Sequence, residues 1–424
     1  MHARAFVTVA ALLLGVLAEQ TEQGQAALTN DTAQCAPYSI SLVADAQASY
    51  PTIGSPILSI PTTDTVALAK FNAITGIPNI APKGVNGILS ADTLNNYPTT
   101  DPDCWWTSSG CLTPKASGLA ADTASVPEPR TLGYGFDDGP FCSHNEFYNY
   151  LSAQNQKATM FYIGSNVMWF PLQAQRAVVD GHEICVHTWS HHNMTAFTNE
   201  GAFAELYYTM QAIKLVTGVT PQCWRPPMGD VDDRIRYIAS KLNLETILWK
   251  YDSFDWKVAS GQATPAQVQA NYDSLISDAG AGTFDTVGAI MLTHELTNYT
   301  MQTAVDNYPK LAAAFDHLVP IAVAQNKTQP YVETNVTFPS FAAYIASRSS
   351  TGGNSTSSSG TNSSSSTGSS SSSAGSSSSS GSGSSQSGTA SGSSNAGVSF
   401  RLSYAHSAII VVTTVAGAVL VLYY

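Results

Sequence analysis

Five short stretches of this 424-residue chain carry side chains that could do chemistry together. The first is Gly133-Tyr-Gly-Phe-Asp-Asp-Gly-Pro140, which reads as a strand running into a tight turn. Neighbouring side chains of a regular strand point to opposite faces. Asp137 and Asp138 therefore converge only if the backbone turns there, and Gly139-Pro140 supplies a turn. Two carboxylates so close repel unless a cation or a shared proton lies between them, and a metal ion meets that need. An Asp-Asp-Gly turn is also an ordinary solvated loop, so the case for chemistry rests on partners elsewhere.

The second stretch, His187-Thr-Trp-Ser-His191, follows the candidate strand Glu183–Val186. Two histidines four apart fall on one side of a helical turn and can ligate one metal, whereas His192 is out of phase. An aspartate with two histidines makes a three-ligand site that keeps a position open for catalysis. In the third, Arg225-Pro-Pro-Met-Gly-Asp230, two prolines stiffen the loop and fix where the arginine points. A fixed guanidinium can hold a carboxylate bidentately and keep it ionised. The fourth and fifth are Asp252-Ser-Phe-Asp-Trp256 and Leu292-Thr-His294. A strand-end histidine can be a general acid; a carboxylate such as Asp255 against its other nitrogen raises its pKa and fixes its tautomer. His294-Glu295 begins a zincin-like pattern, but position 298 is Asn, so His-Glu-x-x-His fails.

The elements that must position these residues alternate from Thr131 to about Ser347. Strands are expected at 131–136, 158–163, 182–186, 223–225, 245–249 and 288–292. Helices are expected at 145–154, 172–180, 200–217, 232–242, 265–279 and 300–319. This α/β alternation implies a parallel sheet with helices outside, and closure makes it a barrel. All five stretches lie at or just after strand ends, where such folds gather their sites.

The flanking sequence bears on compartment. Residues 1–18 read as a signal peptide: a short polar start, an apolar run to Leu17, and Val16-Leu-Ala18 for cleavage. Secretion predicts oxidised cysteines; of the six, Cys104 and Cys111 can close a small loop, and the remaining connectivity stays open. Sequons at Asn30, Asn193, Asn298, Asn326, Asn335, Asn354 and Asn362 fit a secreted glycoprotein. Residues 19–125 form an irregular N-terminal extension expected to wrap the main domain, with one helix near Asp64–Phe71 and Trp105-Trp106 read as core. Residues 348–395 are a Ser/Gly/Thr-rich linker. Asn395-Ala-Gly397, a polar spacer and an apolar end make 396–424 a glycosylphosphatidylinositol signal, removed on anchoring at Asn395. The expected place is the outer face of the plasma membrane, with transfer to the cell wall open. A net charge of −12 with no basic run argues against nucleic acid as a partner.

In order, Phe-Asp-Asp-Gly-Pro, His-Thr-x-x-His, Arg-Pro-Pro, Asp-x-x-Asp-Trp and Leu-x-His resemble the motif set of the polysaccharide deacetylases, carbohydrate esterase family four. Within that family the chain is most similar to secreted, lipid-anchored fungal chitin deacetylases. The resemblance covers about Cys104 to Ser347 and implies a distorted (β/α) barrel, usually of fewer than eight strands, over 126–347. It implies one divalent metal, zinc or cobalt, on Asp138, His187 and His191. Asp137 would be the catalytic base, with Arg225 orienting it. His294 would be the acid and Asp255 the carboxylate that tunes it. Trp256 and Leu292 would wall the acetyl pocket, and the Met228 backbone N–H would hold the oxyanion. The family usually has an aromatic where this chain has Met228, which keeps the N–H and removes a ring from the sugar contacts. The implied reaction removes N-acetyl groups from chitin or chitin oligosaccharides at the fungal wall, giving chitosan and acetate. Rival readings are the same chemistry on another acetylated polysaccharide, a glycoside hydrolase using Asp137 and Asp255, and a non-catalytic anchored wall glycoprotein.

Overall fold

The structure, a computed structural model, describes residues 20–351. The expected signal peptide, the linker beyond Thr351, Asn354, Asn362, Asn395 and the 396–424 tail lie outside the described residues.

The strand segments 135–139, 159–162, 183–186 and 289–292 are short and buried on both faces, the pattern of a parallel sheet covered by helices. A small hairpin, β1 (Gly84–Val85) and β2 (Ile88–Leu89), precedes them. The barrel strands are β3 (Thr131–Gly133), β4 (Gly135–Gly139), β5 (Thr159–Tyr162), β6 (Glu183–Val186), β7 (Cys223–Trp224), β8 (Glu245–Thr246), β9 (Tyr251–Asp252), β10 (Ala289–Leu292) and β11 (His317–Val319). They pair in the orders β4-β5-β6-β7-β8 and β11-β3-β10-β9, every neighbour parallel. β3 and β4 are one stretch, as are β8 and β9. The two sheets therefore join at both ends into a distorted ring, with β11 added beside β3. The barrel thus has fewer than eight strand stretches around it, as the resemblance implies.

The covering helices are α1 (Asn145–Ala153), α2 (Pro171–Val179), α3 (Asn199–Thr217), α4 (Asp233–Lys241), α5 (Pro265–Gly280) and α6 (Asn298–Ala314). Their starts are written locally. Thr198 and Asp232 each accept an N–H of the first turn, and Thr264 forms a capping box with Gln267. The expected helix 300–319 is corrected: α6 stops at Ala314 because Phe315 turns extended (φ −106°, ψ 144°), and His317–Val319 becomes β11. Phe315 stacks on Phe284 at 5.3 Å, and Leu318 and Val319 are buried in the sheet, which rewards leaving the helix.

One hydrophobic core runs from Ile57, Ile60 and Ala67 of the extension into the barrel residues Phe136, Met160 and Ile290. The helix expected near Asp64 spans Thr65–Asn72 with Asp64 as its cap. Trp105 is core, whereas Trp106 is half-buried. The cysteines pair as Cys35–Cys142, Cys104–Cys111 and Cys185–Cys223. Asn30, Asn298, Asn326 and Asn335 are exposed, and Asn193 is half-buried.

Candidate active site

The Asp pair ends β4, and both residues are buried. The pairing with β5 shifts register between Asp137 and Gly139, and Asp138 takes φ 74°. This is a bulge, which re-aims a side chain. The redirection expected at Gly139-Pro140 thus occurs one residue earlier, at Asp138 itself.

Asp137 receives Arg225 Nη1 at 2.6 Å. The expected bidentate grip is not formed: Nε and Nη2 of Arg225 have no hydrogen-bond partner. The guanidinium instead lies 3.9 Å over the Phe161 ring, which holds its plane away from a fork-to-fork fit.

His187 and His191 converge, though not on a helical turn. The segment is an irregular loop with positive φ at Thr188 (62°) and His191 (56°). The His187 Nδ1–H donates to the Arg225 carbonyl at 2.8 Å, since a carbonyl can only accept. In the neutral ring Nε2 then carries a lone pair. It points to Asp138 Oδ1 at 3.2 Å, and His191 Nε2 approaches the same oxygen at 3.1 Å. That oxygen is buried and, among the described residues, accepts no hydrogen bond of good geometry. Burial opposes charge on Asp138, yet with no cation present the protonated His191 ring, with Nε2–H groups turned to it from His191 and His187, outweighs burial and holds the carboxyl well below the ordinary range; a bound cation takes the place of those protons. Three ligand atoms from Asp138, His187 and His191 lie within 4.8 Å of one another. Electron-rich atoms converging on a partnerless oxygen suit a divalent cation, and an O,N,N set fits zinc.

His294 is set beside Asp137 by a parallel bridge: the Asp137 N–H donates to Thr293 O, and the Glu295 N–H to Asp137 O. Asp255 grips His294 twice, at Nδ1 (2.6 Å) and through the backbone N–H (3.1 Å). The Nδ1–H is thereby donated to the Asp255 carboxylate, which leaves Nε2 for chemistry. Burial alone would strip the ring of its charge, but Asp255, then Asp138 and Asp137, push its pKa up to about 10.

Leu292 is buried at the end of β10, and Trp256 is half-buried beside Asp255. Met228 is 41% exposed, in a turn at φ 55°, with its sulfur 3.5 Å from Asn193 Nδ2. Sequence reasoning missed what lies under that turn: a Cβ on Gly229 would sit 2.2 Å from Trp106, so the turn rests on the indole. It also assigned nothing to Glu295, which is fully buried. Glu295 accepts from Phe141 N, His144 Nδ1 and Tyr148 Oη at 2.9, 2.7 and 2.8 Å, bracing the segment after the Asp pair.

Residues 124–247 match the family described as polysaccharide deacetylase. The chain is 51% identical over 344 residues to chitin deacetylase 2 of Cryptococcus neoformans var. grubii, covering 79% of this chain and 75% of that protein. It is 48% identical over 268 residues to the chitin deacetylase of Amylomyces rouxii, covering 63% of each. A solved chitin deacetylase from Colletotrichum lindemuthianum is 19% identical with a TM-score of 0.44, covering 50% of this chain and 96% of that one. With half of 344 aligned residues identical to a relative, over three quarters of that relative's length, the chain belongs to the polysaccharide deacetylase family.

Proposed function

We propose that the protein is a chitin deacetylase, hydrolysing the N-acetyl groups of β-linked N-acetylglucosamine polymers to free amine and acetate. The observation that carries the reading is the buried, partnerless Asp138 Oδ1 between two histidine nitrogens, with a gripped His294 alongside. Its likeness to chitin deacetylases of Cryptococcus neoformans and Amylomyces rouxii supports the substrate class.

Asp138, His187 and His191 would hold the divalent ion, zinc or cobalt, which would supply Lewis acidity toward the acetamide and a lowered pKa for water. Asp137, steadied by Arg225, takes the proton of the attacking water. The carbonyl carbon becomes tetrahedral, and the Met228 N–H stabilises its oxygen. His294, charged and held by Asp255, gives its Nε2 proton to the sugar nitrogen as the C–N bond breaks. The products are acetate and a glucosamine unit. Leu292 and Trp256 wall the acetyl methyl. Neither a glycosidase nor a wall adhesin needs this donor set, because a glycosidase works with two carboxylates alone.

The sequence outside the described residues supports a secreted protein anchored by lipid at Asn395, with glycans at its sequons. Phospholipase release of the protein from cells tests the anchor. Acetate release from chitin oligomers, before and after chelation, tests the activity. Loss on chelation and return with zinc is expected. Activity unaffected by chelation refutes the metal reading, and metal-dependent release from acetylated xylan but not chitin refutes the substrate.

A further inference from the structure

Glu205 lies in the middle of α3 and is fully buried. A carboxylate offers about four acceptor directions, and Glu205 fills them with donors from two distant segments. Oε2 accepts the backbone N–H groups of Trp189 (2.9 Å) and Ser190 (3.0 Å). Oε1 accepts the Ser190 hydroxyl (2.9 Å) and the N–H of Ile57 in the N-terminal extension (2.8 Å). Trp189 and Ser190 are the inner residues of the loop from His187 to His191.

That loop needs holding. Thr188, a β-branched residue, sits at φ 62°, and His191 at φ 56°; left-handed backbone is unfavourable for such residues and persists only where the surroundings impose it. The opposite side of the loop is held as well. Ser165 donates its N–H and hydroxyl to Trp189 O at 3.1 and 2.7 Å, and its oxygen accepts Gly54 N–H at 2.8 Å. Trp189 Nε1 donates to Thr52 O at 3.1 Å. The segment Thr52–Ile57 thus meets the ligand loop directly at Trp189 and, through Ser165 and Glu205, the residues that hold it on either side.

We propose that Glu205, completed by Thr52–Ile57, is a positioning residue for the metal: it sets the His187–His191 geometry and so the affinity for the divalent ion. This rests on reading Asp138, His187 and His191 as the metal site. Without the carboxylate, buried N–H groups lose their acceptor and the strained loop relaxes. His191, whose side chain is 35% exposed, is the ligand free to swing away. The extension, which sequence analysis leaves as a wrapping of no stated role, then has one.

The test is zinc affinity by competition with a fluorescent chelator, on the purified secreted protein. Glu205→Gln keeps the volume but turns an amide donor toward backbone donors. It should weaken zinc about 10- to 100-fold, the effect of losing an outer-shell partner. Ser190→Ala, which removes one donor from the same cluster, should weaken it severalfold and decides the matter if Glu205→Gln does not fold. Asp230→Asn is the control. Asp230 is an equally buried carboxylate that ties the Met228 turn to Trp105, Thr107 and Thr195 and accepts nothing from Trp189 or Ser190. It should leave zinc affinity within about twofold. Folded Glu205→Gln and Ser190→Ala with wild-type affinity would overturn the proposal, as would equal weakening by Asp230→Asn. A wild-type protein that binds no zinc would instead refute the metal site itself.

Discussion

Replacing Asp255 with Asn tests whether the charge on His294 is what the reaction uses. In the native site His294 sits at about 10 against an ordinary 6.5, although burial pushes it the other way. A rise of that size corresponds to roughly 5 kcal/mol of preference for the protonated ring at 1.36 kcal/mol per unit. The largest contribution raising it is Asp255, 2.6 Å from Nδ1. Asp255→Asn keeps the shape and removes the charge, so burial dominates and the ring falls toward or below 6.5. The assay is kcat for acetate release from chitin oligomers across pH 5 to 11 at fixed saturating zinc. Wild type should hold its activity well above pH 6.5. The variant's alkaline limb should move down by at least about two units, with kcat at pH 8 falling about 10²–10⁴-fold, the usual contribution of a positioned acid. An alkaline limb that stays in place while kcat merely scales would refute the assignment of His294 as a charged acid. Stability follows the same sign: a raised histidine stabilises fully below 6.5, and that contribution is lost as pH climbs through about 10. Wild type should therefore lose its stability advantage over Asp255→Asn across that window in denaturant titrations.

Asp137→Asn should lower kcat by about 10²–10⁴-fold while zinc content, measured by elemental analysis, stays at the wild-type level; metal loss in step with activity would place Asp137 among the ligands. His191→Ala removes a ligand outright and should cost more affinity than the 10–100-fold of an outer-shell change, so dialysed protein should retain little zinc; full retention would break the ligand set. Gly229→Ala forces a Cβ to 2.2 Å from Trp106 at φ 67°. It should destabilise by about 2–4 kcal/mol in urea and raise KM without removing zinc, and a neutral effect would show that the Met228 turn does not rest on that indole.

Capped helices and buried strands are legible along the chain because their causes lie within a few residues. Thr264 with Gln267 announces α5, and the apolar run before His187 announces β6. The misreadings occur where a distant segment overrides a local pattern. The i,i+4 spacing of His187 and His191 suggests a helical turn, but Glu205, fifteen residues beyond Ser190, collects the loop's N–H groups into another shape. Glu205 itself left one signal, a lone carboxylate among Phe203, Ala204, Leu206 and Tyr207 on a helix whose face is buried. The end of α6 is misread because nothing local stops it; the stop comes from room for Leu318 and Val319 beside β3.

By itself the sequence determined which side chains reach the site. Asp137, Asp138, His187, Arg225, Asp255 and His294 all stand at or just past strand ends, and a parallel barrel delivers strand ends to one rim. Only the tertiary structure decided which atom faces which: the bulge that turns Asp138 toward two histidines, the Phe161 ring that leaves Arg225 one bond to Asp137, and the double grip of Asp255 on His294. Strand and helix follow from dihedral preferences and periodicity over a few residues. A site needs atoms placed to a fraction of an ångström, and that placement comes from packing between segments far apart in the chain.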